Sequence, residues 1–336
     1  MSVGVSYGLR WRRKFGRARA LLKRRELRLA HDNTRKIAAD DILLFCTLRD
    51  EIRLLPFFLQ YYRKLGVSHF LFVDNGSTDG SSDFLAQQSD VSVWHTHASY
   101  ARSRHGVDWL NDLQSRFGHG HWTLTVDVDE FFVYPFCDTR PLRALADWLD
   151  ASSVRSFGTM LLDMYPNTAE KQPPYKPGTD PLAWANWFDS GNYTISPNPL
   201  YKNLWIQGGP RARAFFADNP AEAPALNKIP FVKWHRRYTY VSSTHMMLPR
   251  GLNLVYDQSG GEKASGVLLH AKFLDHFAAN ATTQARRAEH FRSGREYQAY
   301  CEKQNALPAL WSKWSTRYQN WQQLEELGLM SKGNWA

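Results

Sequence analysis

From about residue 41 the sequence alternates short apolar runs with stretches whose apolar residues recur at helical spacing, and that alternation limits the fold more than any other feature. Strand-length apolar runs separated by amphipathic helices are the pattern of βαβ units, in which helices cover a mostly parallel sheet. Ile42 to Leu48 reads as a buried first strand. Leu54, Leu55, Phe58, Leu59, Tyr62 and Leu65 then fall on one helical face, and Gly66 ends that helix. His69 to Val73 predicts a second strand, Asp74-Asn75-Gly76-Ser77-Thr78-Asp79-Gly80 a turn-rich loop into a short helix, and Val91 to Trp94 a third strand. A helix is expected over 102–117 and a fourth strand from Trp122 to Val126. Beyond Pro135, a helix containing Leu142, Leu145, Trp148 and Leu149 leads to a strand near 157–162. The fold class is α/β.

After this strand the texture changes. Residues 165–230 are rich in Pro, Gly, Asn and aromatics, among them Tyr175, Trp184, Trp187, Phe188, Tyr193, Tyr201 and Trp205, and read as long ordered loops over a binding face. Aromatic faces suit sugar rings, and a loop core packed from the same rings is the plainer account of any one of them. Val267 to Phe273 reads as a last strand and everything from Asp275 as helix. The expected division is a basic segment over 1–39, an α/β domain over 40–275 divided near residue 135, and a helical extension over 276–336.

The formal charge is +10, and its placement says more than its sum. Residues 10–36 hold twelve Lys or Arg against Glu26 and Asp32, so the rest of the chain is balanced. A globular nucleic-acid binder carries its basic face on the folded body, so no nucleic-acid partner is expected. Trp11, Phe15, Leu21, Leu22, Leu27 and Leu29 interleave with the cations, a composition that suits a helix lying on an anionic membrane; a solvated basic tail is the alternative. No apolar run reaches the ~18 residues of a spanning helix and the N-terminus lacks a signal-peptide pattern, so the expected location is the cytoplasm, with a peripheral place at the inner face of the plasma membrane where the basic segment meets lipid. Cys46, Cys137 and Cys301 are too few and too scattered for a disulfide framework or a zinc site.

The chemistry-bearing motif is Asp127-Val128-Asp129-Glu130, at the end of an apolar strand. In a parallel α/β sheet ligands sit at the carboxyl ends of strands, where two carboxylates one residue apart can grip one divalent cation. Held against a pyrophosphate, Mg²⁺ or Mn²⁺ neutralises the charge a departing nucleotide diphosphate gains. A chance Asp-x-Asp in a solvated turn is the competing account. Asp74 ends the second strand, where its carboxylate can meet a base N–H or ribose hydroxyls or else cap its own turn, and Thr47 and Glu51 flank the first strand's end.

Taken in order, Cys46-Thr47-Leu48-Arg49-Asp50-Glu51, Phe72-Val73-Asp74-Asn75-Gly76-Ser77-Thr78-Asp79-Gly80 and Val126-Asp127-Val128-Asp129-Glu130 resemble the motifs of the family 2 glycosyltransferases of GT-A fold, in the bacterial branch whose metal motif reads Asp-x-Asp-Glu. The match covers roughly residues 41–135. Leu162-Asp163-Met164-Tyr165, Thr244-His245 and Leu268-Leu269-His270-Ala271-Lys272-Phe273 are similar more loosely. The resemblance implies a Rossmann-like nucleotide-binding sheet with a loop-rich acceptor region and C-terminal helices. It implies that Thr47, Arg49, Glu51, Asp74 and Asn75 contact the nucleoside side of a nucleotide-sugar donor, and that Asp127 and Asp129 take the metal and diphosphate. Arg104 would meet a phosphate or face solvent, and His270 would add a metal ligand or be a satisfied structural histidine.

Transfer with inversion needs a carboxylate to deprotonate the acceptor hydroxyl. The Glu-Asp pair that supplies it in many relatives is absent downstream, which leaves Asp163, then Asp189 and Glu130, as candidates; Asp163 as a strand-end turn residue is the alternative. The Gln-x-x-Arg-Trp motif of processive synthases is missing too, so one sugar per encounter is expected, delivered to a glycan or lipid-linked acceptor. A nucleotidyltransferase shares the two-carboxylate requirement, although Thr47 to Arg53 lacks the glycines of a phosphate loop. A glycan-binding module that kept the fold without the chemistry is the third reading.

Overall fold

The computed structural model describes residues 3–167, 173–256, 263–275 and 310–335. Its strands are β1 (Arg28–His31), β2 (Ile42–Leu48), β3 (His69–Asp74), β4 (Val91–His95), β5 (Trp122–Thr125), β6 (Glu130–Val133), β7 (Ser156–Asp163), β8 (Trp187–Asp189), β9 (Tyr193–Asn198), β10 (Asn203–Gly208), β11 (Asn227–Lys233), β12 (Thr239–Ser242), β13 (Met246–Leu248), β14 (Gly266–His270) and β15 (Ser315–Arg317). The helices are α1 (Val3–Lys23), α2 (Leu55–Leu65), α3 (Ser81–Ala86), α4 (Val107–Phe117), α5 (Leu142–Ala151), α6 (Pro181–Trp184), α7 (Gly209–Phe215) and α8 (Trp321–Glu326).

Nine strands form one sheet in the order β1-β4-β3-β2-β5-β11-β7-β14-β6. β4, β3, β2 and β5 run parallel; β11 is antiparallel to both β5 and β7, and β14 is parallel to β7. Six strands therefore point the same way. Their carboxyl ends, Leu48, Asp74, His95, Thr125, Asp163 and His270, share one edge of the sheet, and β11, running backwards, brings its amino end with Lys228 to that edge. α2 covers one face, with Leu55, Phe58, Leu59, Tyr62 and Leu65 buried on β2, β3 and β5; Trp109, Leu110 and Leu113 of α4 cover Leu43, Phe45, Leu71 and Val73 on the other.

Only four residues link β5 to β6, although β6 pairs with β14 at the far end of the sheet. Four strand spacings of about 4.8 Å would need those residues fully extended, yet the Glu130 N–H donates to the Asp127 carbonyl in a turn. The far strands must curl back toward β5, and the turn that closes the curl carries Asp127 and Asp129.

The first four expected strands and α2 and α5 stand where the sequence puts them, within a residue or two. Elsewhere the structure corrects the reading. The helix expected over 102–117 starts at Val107, because Arg104, His105 and Gly106 take left-handed backbone and lift the chain out of helix. Residues 165–230 hold three short strands, two short helices and the start of β11 rather than loops alone, and Tyr175, Phe188 and Tyr201 are buried, in keeping with the plainer account of the aromatics. Within the basic segment, α1 packs on α4 and β12, and β1 pairs antiparallel with β4 to cover the sheet's edge. Of the helical stretch expected from Asp275, 276–309 lies outside the described residues, and the remainder contains β15, paired with β8, and α8 on the main core.

Candidate functional site

The carboxyl edge gathers the acidic motif and its partners. Asp127, its side chain 54% exposed, faces the cleft, and Asp129 is half-buried beside it. Glu130 is buried; its carboxylate accepts from the Asp127 N–H at 3.2 Å and from Lys228 Nζ at 2.8 Å, so it pins the turn. Lys228 Nζ also lies 3.9 Å from Asp127. His270 bridges two carboxylates, with Nδ1 2.7 Å from Asp163 and Nε2 3.1 Å from Asp129. Arg211 Nε donates to the other Asp163 oxygen at 2.7 Å.

These contacts set the protonation states. Burial alone would lower His270, but Asp129 and Asp163 on its two nitrogens hold it up at about 9, as an imidazolium donating both ways. Burial would raise Asp129; the His270 charge and hydrogen bond, with Lys272, keep it well below the usual carboxylate range. Asp163 likewise overcomes burial, through Arg211 first and then His270, and sits at about 2. Asp127 moves the other way, to about 7, through desolvation and then the charge of Glu130, opposed by Lys228. Half of the side chain is accessible, so solvent limits the desolvation and the Glu130 charge matters more. Burial and the charges of Asp129, Asp79 and Asp127 raise Glu51 well above its ordinary value.

The candidates for acceptor base are therefore enclosed. Asp163 and Glu130 are buried in ion pairs, and Asp189 accepts from both Arg213 Nε and Nη2 and from the Tyr165 hydroxyl. Each has a holding role in this structure, Asp163 and Glu130 on buried cations and Asp189 on Arg213. Around the donor side, Asp74 is buried and accepts from the Ser77 N–H and hydroxyl at 2.9 and 2.7 Å, the turn-capping alternative; His95 Nε2 is 3.6 Å from its second oxygen. Asn75 donates to the carbonyls of Thr96 and Ala98, and Arg104 to Asp108 and the Val241 carbonyl. Arg49 stays exposed, 3.6 Å from Asp50.

Behind Asp127 lies a cavity of about 20 Å³, lined by Thr47, His105, Lys228, Tyr240 and Thr244 among others. The hydroxyls of Thr47 and Thr244 are buried there without a hydrogen-bond partner, which carries a desolvation cost unless something fills the space. Gly106, at φ +77°, stands between the lining residues His105 and Val107; a Cβ there would meet the Thr47 hydroxyl at 2.8 Å.

A divalent cation fits this edge in one form. Among the described residues no three His, Cys, Asp or Glu side chains stand together as a ready metal cage. Asp127, exposed, and Asp129, half-buried two residues on, instead match an ion that takes most of its remaining ligands from water and substrate phosphates. His270, with both nitrogens on carboxylates, can ligate only after losing a proton. Lys228 and Arg211 were missed in the sequence. Lys228 stands in a strand containing Pro230, which counts against a central strand unless it bulges, and β11 does shift register between Lys228 and Phe231.

No protein-family model and no curated protein matches the chain.

Proposed function

We propose that this chain is a metal-dependent glycosyltransferase of GT-A type, which moves a sugar from a nucleotide-sugar donor to a hydroxyl of a glycan or lipid-linked acceptor, with inversion and one sugar per encounter. The observation that carries the reading is that Asp127, exposed, and Asp129, half-buried, stand on the sheet edge where Asp74 ends β3 and Thr47 lies near the end of β2, with Glu51 close enough to feel both charges. Brought in by the donor, Mg²⁺ or Mn²⁺ would supply charge neutralisation to the leaving diphosphate. The chain's own residues do the rest. Glu130 fixes the turn that would aim both aspartates; His270, held by Asp163, which Arg211 holds in turn, orients Asp129. Lys228 places an ammonium 3.9 Å from Asp127, where it adds positive charge beside the departing oxygen. At the anomeric carbon the acceptor oxygen replaces the diphosphate oxygen, and the acceptor proton passes to a carboxylate base, for which Asp163, Asp189 and Glu130 would each first have to leave the cations they hold in this structure.

The protonated His270 and Lys228 already neutralise part of the acidic cluster, which favours as a second reading a glycan-binding module on the same fold. Diphosphate release from a panel of nucleotide sugars, with and without Mn²⁺, separates the two. Asp129→Asn should lower Mn²⁺-dependent release by about 10²-fold or more with the thermal transition retained. Unchanged release in that variant would remove the metal role, and no release from any donor would leave the binding module.

A further inference from the structure

The outward face of α1 is inverted relative to a helix on a water-facing surface. Its buried positions, Leu9, Gly16 and Ala20, are mostly small, and Gly16 lets the helix sit where a Cβ would lie 3.3 Å from Thr239. Three or four residues apart on the opposite side stand Tyr7, Trp11, Phe15, Ala18 and Leu22. Trp11 is 67% and Phe15 69% exposed. Of the twelve large apolar side chains exposed among the described residues, six lie between Tyr7 and Leu29, so this is a patch rather than scatter. Arg10, Lys14, Arg17, Arg24, Arg25 and Arg28 are exposed around it, and α1 contains no acidic residue. The Lys14 ammonium lies 5.4 Å from the Trp11 ring and the Arg10 guanidinium 5.9 Å from the Tyr7 ring, so the charges flank the apolar stripe. The inner side is fastened: Arg12 donates to the Tyr201 hydroxyl at 2.9 Å and Arg19 to the buried Asp108 at 2.6 Å.

We infer that this face of α1 seats in the headgroup layer of an anionic phospholipid bilayer, with Trp11, Phe15 and Leu22 among the acyl chains and the flanking cations on lipid phosphates. A central aromatic stripe with basic margins is the interfacial pattern. A second copy of the same face would bring cations against cations, and nucleic acid would leave the stripe unfilled. Because α1 is preformed on the body, binding needs no folding step, and it fixes the orientation of the whole chain on the membrane. The inference does not depend on the proposed activity.

The test uses the full chain, since deletion of 1–39 would also strip β1 from the sheet edge. Flotation with phosphatidylcholine vesicles, with and without equimolar phosphatidylglycerol, should show binding only to the anionic set, weakened as salt approaches about 1 M, where screening reaches about 3 Å. The triple substitution Trp11→Ser, Phe15→Ser, Leu22→Ser should lower partitioning by about tenfold or more while leaving the thermal transition in place, because these side chains are 67%, 69% and 63% exposed. Brominated acyl chains should quench part of the fluorescence, and Trp11→Phe should abolish that quenching. Equal binding to neutral vesicles, or unchanged partitioning in the triple variant, overturns the inference. So does a lipid-free dimer that the serines dissociate, or binding to a duplex oligonucleotide that survives the serines and is lost in Arg10→Gln, Lys14→Gln, Arg17→Gln.

Discussion

Lys228 and Glu130 form a buried ion pair at 2.8 Å, and both partners also act on the open carboxylate of Asp127, in opposite directions. Removing one member of such a pair leaves the other charge in a low-dielectric site, which costs more than the pair itself contributes. Lys228→Met should therefore lower unfolding free energy by about 3 kcal/mol in urea titration, and adding Glu130→Gln should recover part of that loss. Equal losses in the single and double variants would mean that Lys228 matters for packing, through its stem, rather than for charge. At this scale the sequence discloses the open residues and conceals the closed network. Asp127 and Asp129 are legible because their spacing and their place at a strand's end suffice. The ties of Asp163 to Arg211 and His270 join residues 48 and 107 positions away, and nothing local announces them.

Among the elements, those whose partners are near in sequence are the legible ones. β2, β3, β4 and β5 with α2 follow from apolar periodicity, because parallel neighbours and a covering helix leave continuous apolar runs and a clean amphipathic face. β11 is hidden by Pro230, and β6 by the curl that takes a strand beginning five residues after Thr125 to the opposite edge. The start of α4 is hidden by three consecutive left-handed residues that only the approach to β2 requires. Gly106 marks that approach, and its two constraints can be parted. Gly106→Ala imposes αL strain of about 1 kcal/mol and a 2.8 Å contact with the Thr47 hydroxyl. Pairing it with Thr47→Ala removes the hydroxyl and should restore part of the melting temperature, though not all of it. If the donor's nucleoside uses the Thr47 cavity, Gly106→Ala should also raise the KM for donor more than it lowers kcat, measured by diphosphate release.

On the scale of the molecule, the acidic cleft and its internal cations give stability a particular dependence on pH. For His270 the folded state holds its proton to about 9 against an ordinary 6.5, so its contribution is whole below 6.5 and is lost as pH rises through 9. Asp163 is depressed to about 2, so its contribution stands above its ordinary value of 3.8 and fails only as pH falls through 2. Asp127 is raised to about 7, so the folded state is favoured below 3.8 and loses that advantage by pH 7, shallowly, since the side chain is half in solvent. Without ligand, unfolding free energy should therefore decline from about pH 4 to pH 9 in two stages: a first one, shared with the raised carboxylate of Glu51, that Asp127→Asn reduces and a steeper one above 6.5 that His270→Gln removes, at a lower overall stability because Asp129 and Asp163 lose their shared cation. Denaturant midpoints across that range provide the check. A profile of His270→Gln that still falls between pH 6.5 and 9 would assign the upper stage to other groups, and with it would go the doubly bonded imidazolium that orients Asp129.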